Sequence, residues 1–409
     1  MISQLNFYPN VHIVSSVNLS MVIRLVHCTD VHLDKFFDFG DPAKGEIRRK
    51  DIENNFIKII DFTIKQKADI FLLTGDIFDK VKPSNSSRSF LANQIKRLND
   101  EGIQSYAIGG NHDAPKIGNE TLAIDILRAT GIAHVFNDSE TFQEEIITIG
   151  DEKIQIIGKS YYIKNQNQNP FENYNIKKKA DYLICLLHGT LTGMNVGPSN
   201  LHNTEYNPFP TNDINPEIDY LALGHFHNYF ERKKDNTVIC NSGSIEKLTW
   251  SEANDEKKFV LIELDRGNCN IKQITLQTRD YENIEIKLDT KIVDIKSHII
   301  EKIKPSSNND KILRIRTDGE ISVKAQKDFR VSELIREANK LFFHAYFVPE
   351  HGIEGIGKVF LGKMESPIKT FEMHFDKLIA NETNDIQRKF LQKAKETGLT
   401  YLGDSNDIQ

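Results

Sequence analysis

IFLLTGDIFD, Ile70 to Asp79, is a short apolar run that stops at a glycine and then delivers two carboxylates. The run reads as a strand, and Gly75 permits a tight exit from it. The flanking stretches alternate in type. Val22–His27 is apolar-rich and ends in a polar loop, so it reads as a strand. Asp51–Gln66 carries Ile52, Phe56, Ile59, Ile60 and Thr63 at helical spacing. Asn85–Leu98 is a second helix with Phe90, Leu91, Ile95 and Leu98 on one face. Ile103–Ile108 reads as another strand and Thr121–Ala129 as another helix. Alternating strands and helices imply right-handed crossovers and a mostly parallel sheet. From about Phe142 the character changes. Ile146–Ile149, Ile154–Ile157, Tyr182–Leu187, Tyr220–Leu223, Thr237–Cys240 and Lys258–Leu264 are strand-like, with few long helices between them. A second sheet packed on the first would bury these runs.

Five pieces of the chain carry chemistry: Asp30-Val31-His32, Gly75 to Asp79, Gly110-Asn111-His112-Asp113, the isolated His188, and Gly224-His225-Phe226-His227. Each falls just past the C-terminal end of an expected strand. Ligand sites of open α/β sheets form at that edge, where loops bring distant residues together on a rigid frame. Asp30 and His32, two apart, can point into one crevice. Asp76 has two oxygens and can bridge two cations. Asn111 offers an amide oxygen, and Phe226 turns away between His225 and His227. Carboxylates, an amide and imidazoles suit Mn²⁺, Fe or Zn²⁺ better than Ca²⁺. Two such ions about 3.5–4 Å apart clamp an in-line displacement at phosphorus. Any one of these motifs arises often by chance; the ordered set at strand ends does not.

At 409 residues the chain is long for one core, and two or three domains are expected. A formal charge of -6 argues against a strongly basic nucleic-acid coat. Local basic clusters remain at Arg48-Arg49-Lys50, Lys177-Lys178-Lys179 and Arg232-Lys233-Lys234, each able to contact phosphates or simply to face solvent. Cys28, Cys185, Cys240 and Cys269 form no CxxC pair and read as buried reduced thiols, which fits a cytosolic chain. No apolar run approaches ~18 residues, so no membrane span is expected. Residues 1–20 lack the basic start and apolar core of a signal peptide and are read as an N-terminal extension without assigned role. Residues 21–280 hold the motifs, and 281–360 read as a small α+β domain. Residues 361–409 read as helical, with Ser366 as N-cap and Pro367 at the first helical position. Two stripes there, Phe371-His374-Phe375-Leu378 and Ile386-Phe390-Leu391-Ala394, either pack on the chain's own body or dock a partner. Leu191–Glu217 is a long Asn/Pro-rich loop after His188, either shaping access to the site or lying loose on the surface.

The order DxH…GDxxD…GNHD…H…GHxH resembles the calcineurin-like metallophosphoesterase superfamily over roughly residues 22–265. More narrowly, TDVHLD (Thr29–Asp34), LLTGDIFD (Leu72–Asp79) and NSGSIE (Asn241–Glu246) resemble the SbcD-type nuclease subunits of the meiotic-recombination-eleven family. The resemblance implies an α/β four-layer αββα sandwich with a C-terminal α+β capping domain and terminal helices. It implies two divalent metal ions, Mn²⁺ foremost. One would be held by Asp30, His32, Asp76 and His227, the other by Asp76, Asn111, His188 and His225. His112 would then be the metal-free catalytic acid, with Asp113 a candidate to orient it. Some archaeal and eukaryotic relatives carry a second functional histidine three places after the bridging aspartate; here that place is Asp79. The implied activity is 3'-5' exonuclease and single-strand endonuclease cleavage in double-strand break repair. The implied partners are DNA ends, single strands and hairpins, an SMC-like ATPase of SbcC type and a second copy of the chain, in the cytoplasm at the nucleoid. Two other readings stand beside it: a phosphodiesterase or phosphatase for small nucleotides or phosphoproteins, and a DNA-end-binding scaffold with little catalysis. The complete ligand set argues against the scaffold.

Overall fold

In the computed structural model, β1 (Ile23–Cys28), α1 (Pro42–Lys65), β2 (Ile70–Thr74), α2 (Asn85–Asp100), β3 (Gln104–Ile108), α3 (Asp125–Ala129) and β4 (His134–Phe136) alternate along the chain. The structure describes residues 22–115, 121–161, 167–172, 174–192, 206–349, 375–376, 378–379 and 385–404. The four strands pair in parallel in the order β1-β2-β3-β4, with Leu25 opposite Ile70 and Ile70 opposite Gln104. Helix α1 begins earlier than its apolar periodicity suggests. Asp41 caps it by accepting from the Ala43 amide at 2.9 Å, and Pro42 supplies a preset first turn. The extra turns carry Arg48 onto the buried face with Ile52, Phe56, Ile59 and Ile60.

The second sheet comprises β5 (Gln143–Ile149), β6 (Glu152–Lys159), β7 (Tyr182–His188), β8 (Tyr220–Gly224), β9 (Phe230–Lys234) and β10 (Thr237–Asn241), in the order β5-β6-β7-β8-β10-β9. Its inner face packs on the first sheet through Ile154, Ile156, Ile184, Leu186, Tyr220 and Ala222. The next strand corrects a sequence expectation. β11 (Lys258–Asp265) does not join this second sheet; it pairs antiparallel with β1, and β12 (Asn268–Thr275) pairs with it to form the edge of the first sheet. On β11, Phe259 and Leu261 face the helices while Val260, Ile262 and Leu264 face the second sheet. A strand apolar on both faces satisfies either sheet, so its pattern alone does not choose.

Helices, first sheet and second sheet are three of the four expected layers. Among the described residues the fourth is irregular: Phe171, Ile176, Leu191, Phe209, Ile214 and Ile218 cover the outer face of the second sheet from connecting segments. Among the described residues of that Asn- and Pro-rich stretch, Thr211–Asp213 forms a 3-10 turn.

A separate core lies downstream. β13 (Tyr281–Leu288), α4 (Ile295–Ile303), β14 (Asn308–Gly319), α5 (Val323–Asp328), α6 (Val331–Ala338) and β15 (Phe342–Pro349) form a fully parallel three-stranded sheet with its own helices. β14 starts at Asn308, through an irregular pairing between Asn308 and Ile312. Helix α6 stops at Ala338, freeing Phe342 to open β15. The last described element is α7 (Asp385–Asp404), where Leu391 and Ala394 are half-buried. Ser366, Pro367, Phe371 and His374, and the side chains of Ile386 and Phe390, lie outside the described residues. All four cysteines are free thiols, three of them buried. Among the described residues no helix is long and apolar enough to cross a membrane.

Arg48 is removed from any role at the surface. Its guanidinium is fully buried, bonded to Asp51 at 2.7 Å, Glu246 at 3.3 Å and the Lys247 carbonyl at 2.8 Å. Truncating one partner of a buried pair strands the other charge, at a cost of about 3–5 kcal/mol. Arg48→Ala is therefore expected to lower the unfolding free energy by about that amount in urea titrations of the full chain.

Candidate metal centre

Sharp strand exits bring the five pieces together. Asp30, His32, Asp76 and His225 all have positive φ, at 50°, 51°, 47° and 108°. Non-glycine residues in this region are strained by roughly 1–3 kcal/mol each and collect at functional sites. Hydrogen bonds between loops hold the strain: the Asp30 amide donates to the Gly75 carbonyl at 3.2 Å, and the His32 amide to the Asp76 carbonyl at 3.0 Å. Two glycines make room. A Cβ on Gly75 would lie 2.4 Å from His188 Nδ1, and one on Gly224 would lie 2.0 Å from the Thr74 carbonyl oxygen.

Two sets of ligand atoms result. In the first, His32 Nε2 lies 3.2 Å from His227 Nε2, and each lies 4.0 Å from Asp30 Oδ1. In the second, Asn111 Oδ1 lies 3.0 Å from both His188 Nε2 and His225 Nδ1. Asp76 Oδ2 faces both sets, 3.9 Å from His32 Nε2 and 3.5 Å from His188 Nε2. Both Asp30-His32-His227 and Asp76-His188-His225 are spaced to hold a metal ion. The donor set fits one for a specific reason. Asp30 Oδ1 is buried with no hydrogen-bond partner, and a buried orphaned acceptor costs about 1–3 kcal/mol. A cation among these atoms would remove that cost.

Residues 23–229, half of the chain, match the calcineurin-like phosphoesterase family. The chain belongs to this family. It is similar to the uncharacterized metallophosphoesterase YhaO of Bacillus subtilis (strain 168), with 28% identity over 61% of this chain and 59% of that protein. It is also similar to the DNA double-strand break repair protein Mre11 of Sulfolobus acidocaldarius, with 25% identity over 88% of this chain and 90% of that protein. Among solved structures, a putative 5'-nucleotidase from Staphylococcus aureus matches 63% of this chain and 54% of that one, at 15% identity and a TM-score of 0.40.

In this phosphoesterase, outer contacts aim the imidazoles. His188 Nδ1 donates to the Thr74 carbonyl at 2.8 Å, since a carbonyl can only accept, and Nε2 is left to face the site. His32 Nδ1 bonds Asp79 Oδ1 at 3.0 Å, and Lys35 bonds the same oxygen at 3.0 Å. His227 Nδ1 bonds Glu252 Oε1 at 3.1 Å. Burial pushes His32 down to about 4, so it is neutral and ligand-ready at pH 7. Burial also opposes charge on His188, but Asp76, helped by Asp30 and Thr74, pushes it up to about 9.

His112 lies beside both sets, and with His32 and Asp76 it makes a third group spaced to hold a metal ion. Its Nδ1 donates to the Asp79 carbonyl at 3.1 Å, and its ring lies 4.8 Å from that of His32. Burial disfavours its charged form, but Asp76 and Asp79 outweigh that and raise its pKa. Asp113 does not orient it. The Asp113 carboxylate instead accepts from the backbone amides of Ile77 at 3.0 Å, Phe78 at 2.9 Å and Gly110 at 3.0 Å, locking the second and third loops together. Neighbouring residues face different ways, so Asp113 turns inward while His112 faces out. Sequence reasoning missed Glu252, whose position in a short turn follows no strand-end rule. It also missed Tyr206, whose ring packs 5.2 Å from that of His225, because the enclosing loop has no periodicity. In the basic clusters, Lys178 pairs with Asp219 and Lys179 with Glu144. Residues 193–205 of the long loop lie outside the described residues.

Two outcomes are expected. Gly224→Ala should abolish divalent-ion binding in calorimetry while other core contacts persist, because its Cβ would collide with the Thr74 carbonyl that aims His188. Because His188 carries a proton below about 9, an arriving ion must displace it. Affinity should therefore rise as pH increases from 6 to 8, and calorimetry in buffers of different ionisation enthalpy should show proton release.

Proposed function

We propose that this phosphoesterase is a two-metal DNA nuclease of double-strand break repair, using Mn²⁺ and working with an SbcC-like SMC ATPase. The position of Asp76 Oδ2 carries the reading of the chemistry, because one carboxylate oxygen faces both nitrogen-bearing sets. Asp30, His32, Asp76 and His227 would hold one ion; Asp76, Asn111, His188 and His225 would hold the other. When bound, the pair supplies Lewis acidity and an activated water for in-line attack at phosphorus. The protein's own part is to fix and to protonate. Asp76 Oδ1 accepts from the His112 amide at 2.8 Å, which ties the bridging carboxylate to the acid. With Nδ1 held by the Asp79 carbonyl, His112 has Nε2 available to protonate the leaving sugar oxygen, and its raised pKa suits that task near neutrality.

The choice of DNA is supported by the extent of the likeness. Similarity to the Sulfolobus acidocaldarius Mre11 protein runs over 88% of this chain, well past the matched phosphoesterase residues. In this reading residues 281–360 cap the site and help to recognise DNA ends and hairpins. The segment from 361 onward docks the ATPase, and the chain pairs with a second copy.

The test is digestion of end-labelled duplex and hairpin DNA with Mn²⁺, with Mg²⁺ and with neither. Cleavage is expected with Mn²⁺. His112→Ala should slow it by about 10²–10⁴-fold with metal content unchanged, the usual worth of a positioned acid. Intact DNA alongside turnover of bis-p-nitrophenyl phosphate would assign the site to small esters instead.

A further inference from the structure

The turn after the last motif makes two unlike contacts within three residues. Trp250–Glu252 is one 3-10 turn. At its end the buried Glu252 carboxylate collects five donors. Oε1 accepts from His227 Nδ1 at 3.1 Å and Thr249 Oγ1 at 3.0 Å; Oε2 accepts from Lys257 Nζ at 2.6 Å, Ser244 Oγ at 3.3 Å and the Leu248 amide at 3.3 Å. Burial would raise its pKa, but His227 and Lys257 outweigh that and hold it below the usual carboxylate range. At the start of the turn, Trp250 faces the three-stranded sheet. Its ring meets Tyr281 edge-on at 4.9 Å and Tyr346 at 5.8 Å, and the Arg314 guanidinium lies 3.9 Å above it. Those partners come from β13, β15 and β14, so all three strands of the small sheet hold one side chain.

We propose that Glu252 is a positioning residue for His227, and that Trp250 couples it to the 281–349 unit. The seating of that unit then sets how well the His227 ligand set holds its ion. The inference rests on the proposed reading of His227 as a metal ligand.

The turn has little slack to absorb a displacement. The Glu252 amide donates to the Thr249 carbonyl at 3.2 Å and the Ala253 amide to the Trp250 carbonyl at 3.2 Å. Lys257 Nζ bonds both Glu252 and, at 3.0 Å, the His227 carbonyl, so backbone and ring of His227 are tied to one cluster. A slide of about 1 Å at Trp250 would carry the 3.1 Å bond to His227 beyond useful hydrogen-bond length. Loss of an outer partner of a ligating imidazole typically lowers metal affinity by about 10–100-fold.

Trp250 is the single tryptophan of the chain, so its emission reports on this contact. The experiment titrates the metal-free full-length protein with Zn²⁺, a diamagnetic probe, following Trp250 emission and counting bound ions by elemental analysis. In the wild type, two ions should bind and one of the two binding steps should shift the emission. In Glu252→Gln that ion should weaken by about 10–100-fold and the emission response should disappear, with the other ion unaffected. Arg314→Ala, outside the site and on the far side of Trp250, should weaken the same ion several-fold; circular dichroism checks that each variant is folded. Two ions bound with a flat wild-type emission, or unchanged affinities in folded Arg314→Ala, would overturn the coupling. A wild type that binds no ion would overturn the metal reading and this inference with it.

Discussion

One oxygen of Asp76 is the constraint on which the rest depends. Oδ1 is held by the His112 amide at 2.8 Å, so Oδ2 is turned toward His32 on one side and His188 on the other. To serve both sets, Asp76 must leave β2 through a left-handed backbone conformation, as Asp30 and His32 must leave β1. Such conformations persist only where the surroundings over-determine them. Here the surroundings are a strand buried on every residue, a glycine before the aspartate, and Asp113 gathering three amides beneath the loops. The two sheets supply opposite halves: Asp30, His32, Asp76 and Asn111 from the first, His188, His225 and His227 from the second. The sandwich therefore assembles the site by packing, and burial of the inter-sheet core brings the two halves together.

Much of this is legible in the residues. The β2 run, apolar on both faces and ending at Gly75, announces a central strand whose exit bears ligands, and the other four motifs repeat that grammar. The helical stripe of α1 is legible from Ile52 onward, but its true start at Pro42 is not, since the first turns are polar and exposed. That missed start misreads Arg48. It sits four residues before Ile52, on the same buried stripe, and belongs to a core ion pair rather than to a basic patch. β11 illustrates a second limit: a strand apolar on both faces says that it is central and says nothing of which sheet it joins. Glu252 illustrates a third. Its work depends on a tertiary approach to His227 from a three-residue turn, and no local pattern encodes that approach.

The small sheet beyond residue 280 is joined to the phosphoesterase body by charge and by aromatic faces. Arg279 bonds Asp51 of α1 at 2.6 Å and Asp310 at 3.1 Å, and its guanidinium lies 4.2 Å from the centre of the Phe343 ring. Phe39, in the loop that follows His32, meets Phe343, His344 and Tyr346. The unit thus bears on elements on both sides of the first ligand set, the loop after His32 and the turn that holds His227. An adjacent unit that touches the outer contacts of the site is the physical basis for reading the two together.

The central claim is that Asp76 is shared between two ions. Anomalous diffraction from crystals grown with Mn²⁺ tests it most directly. Two peaks about 3.5–4 Å apart, flanking Asp76 Oδ2, with His32 and His227 on one and Asn111, His188 and His225 on the other, are the predicted result. A single peak, or a pair that leaves Asp76 without contact to both, would contradict it.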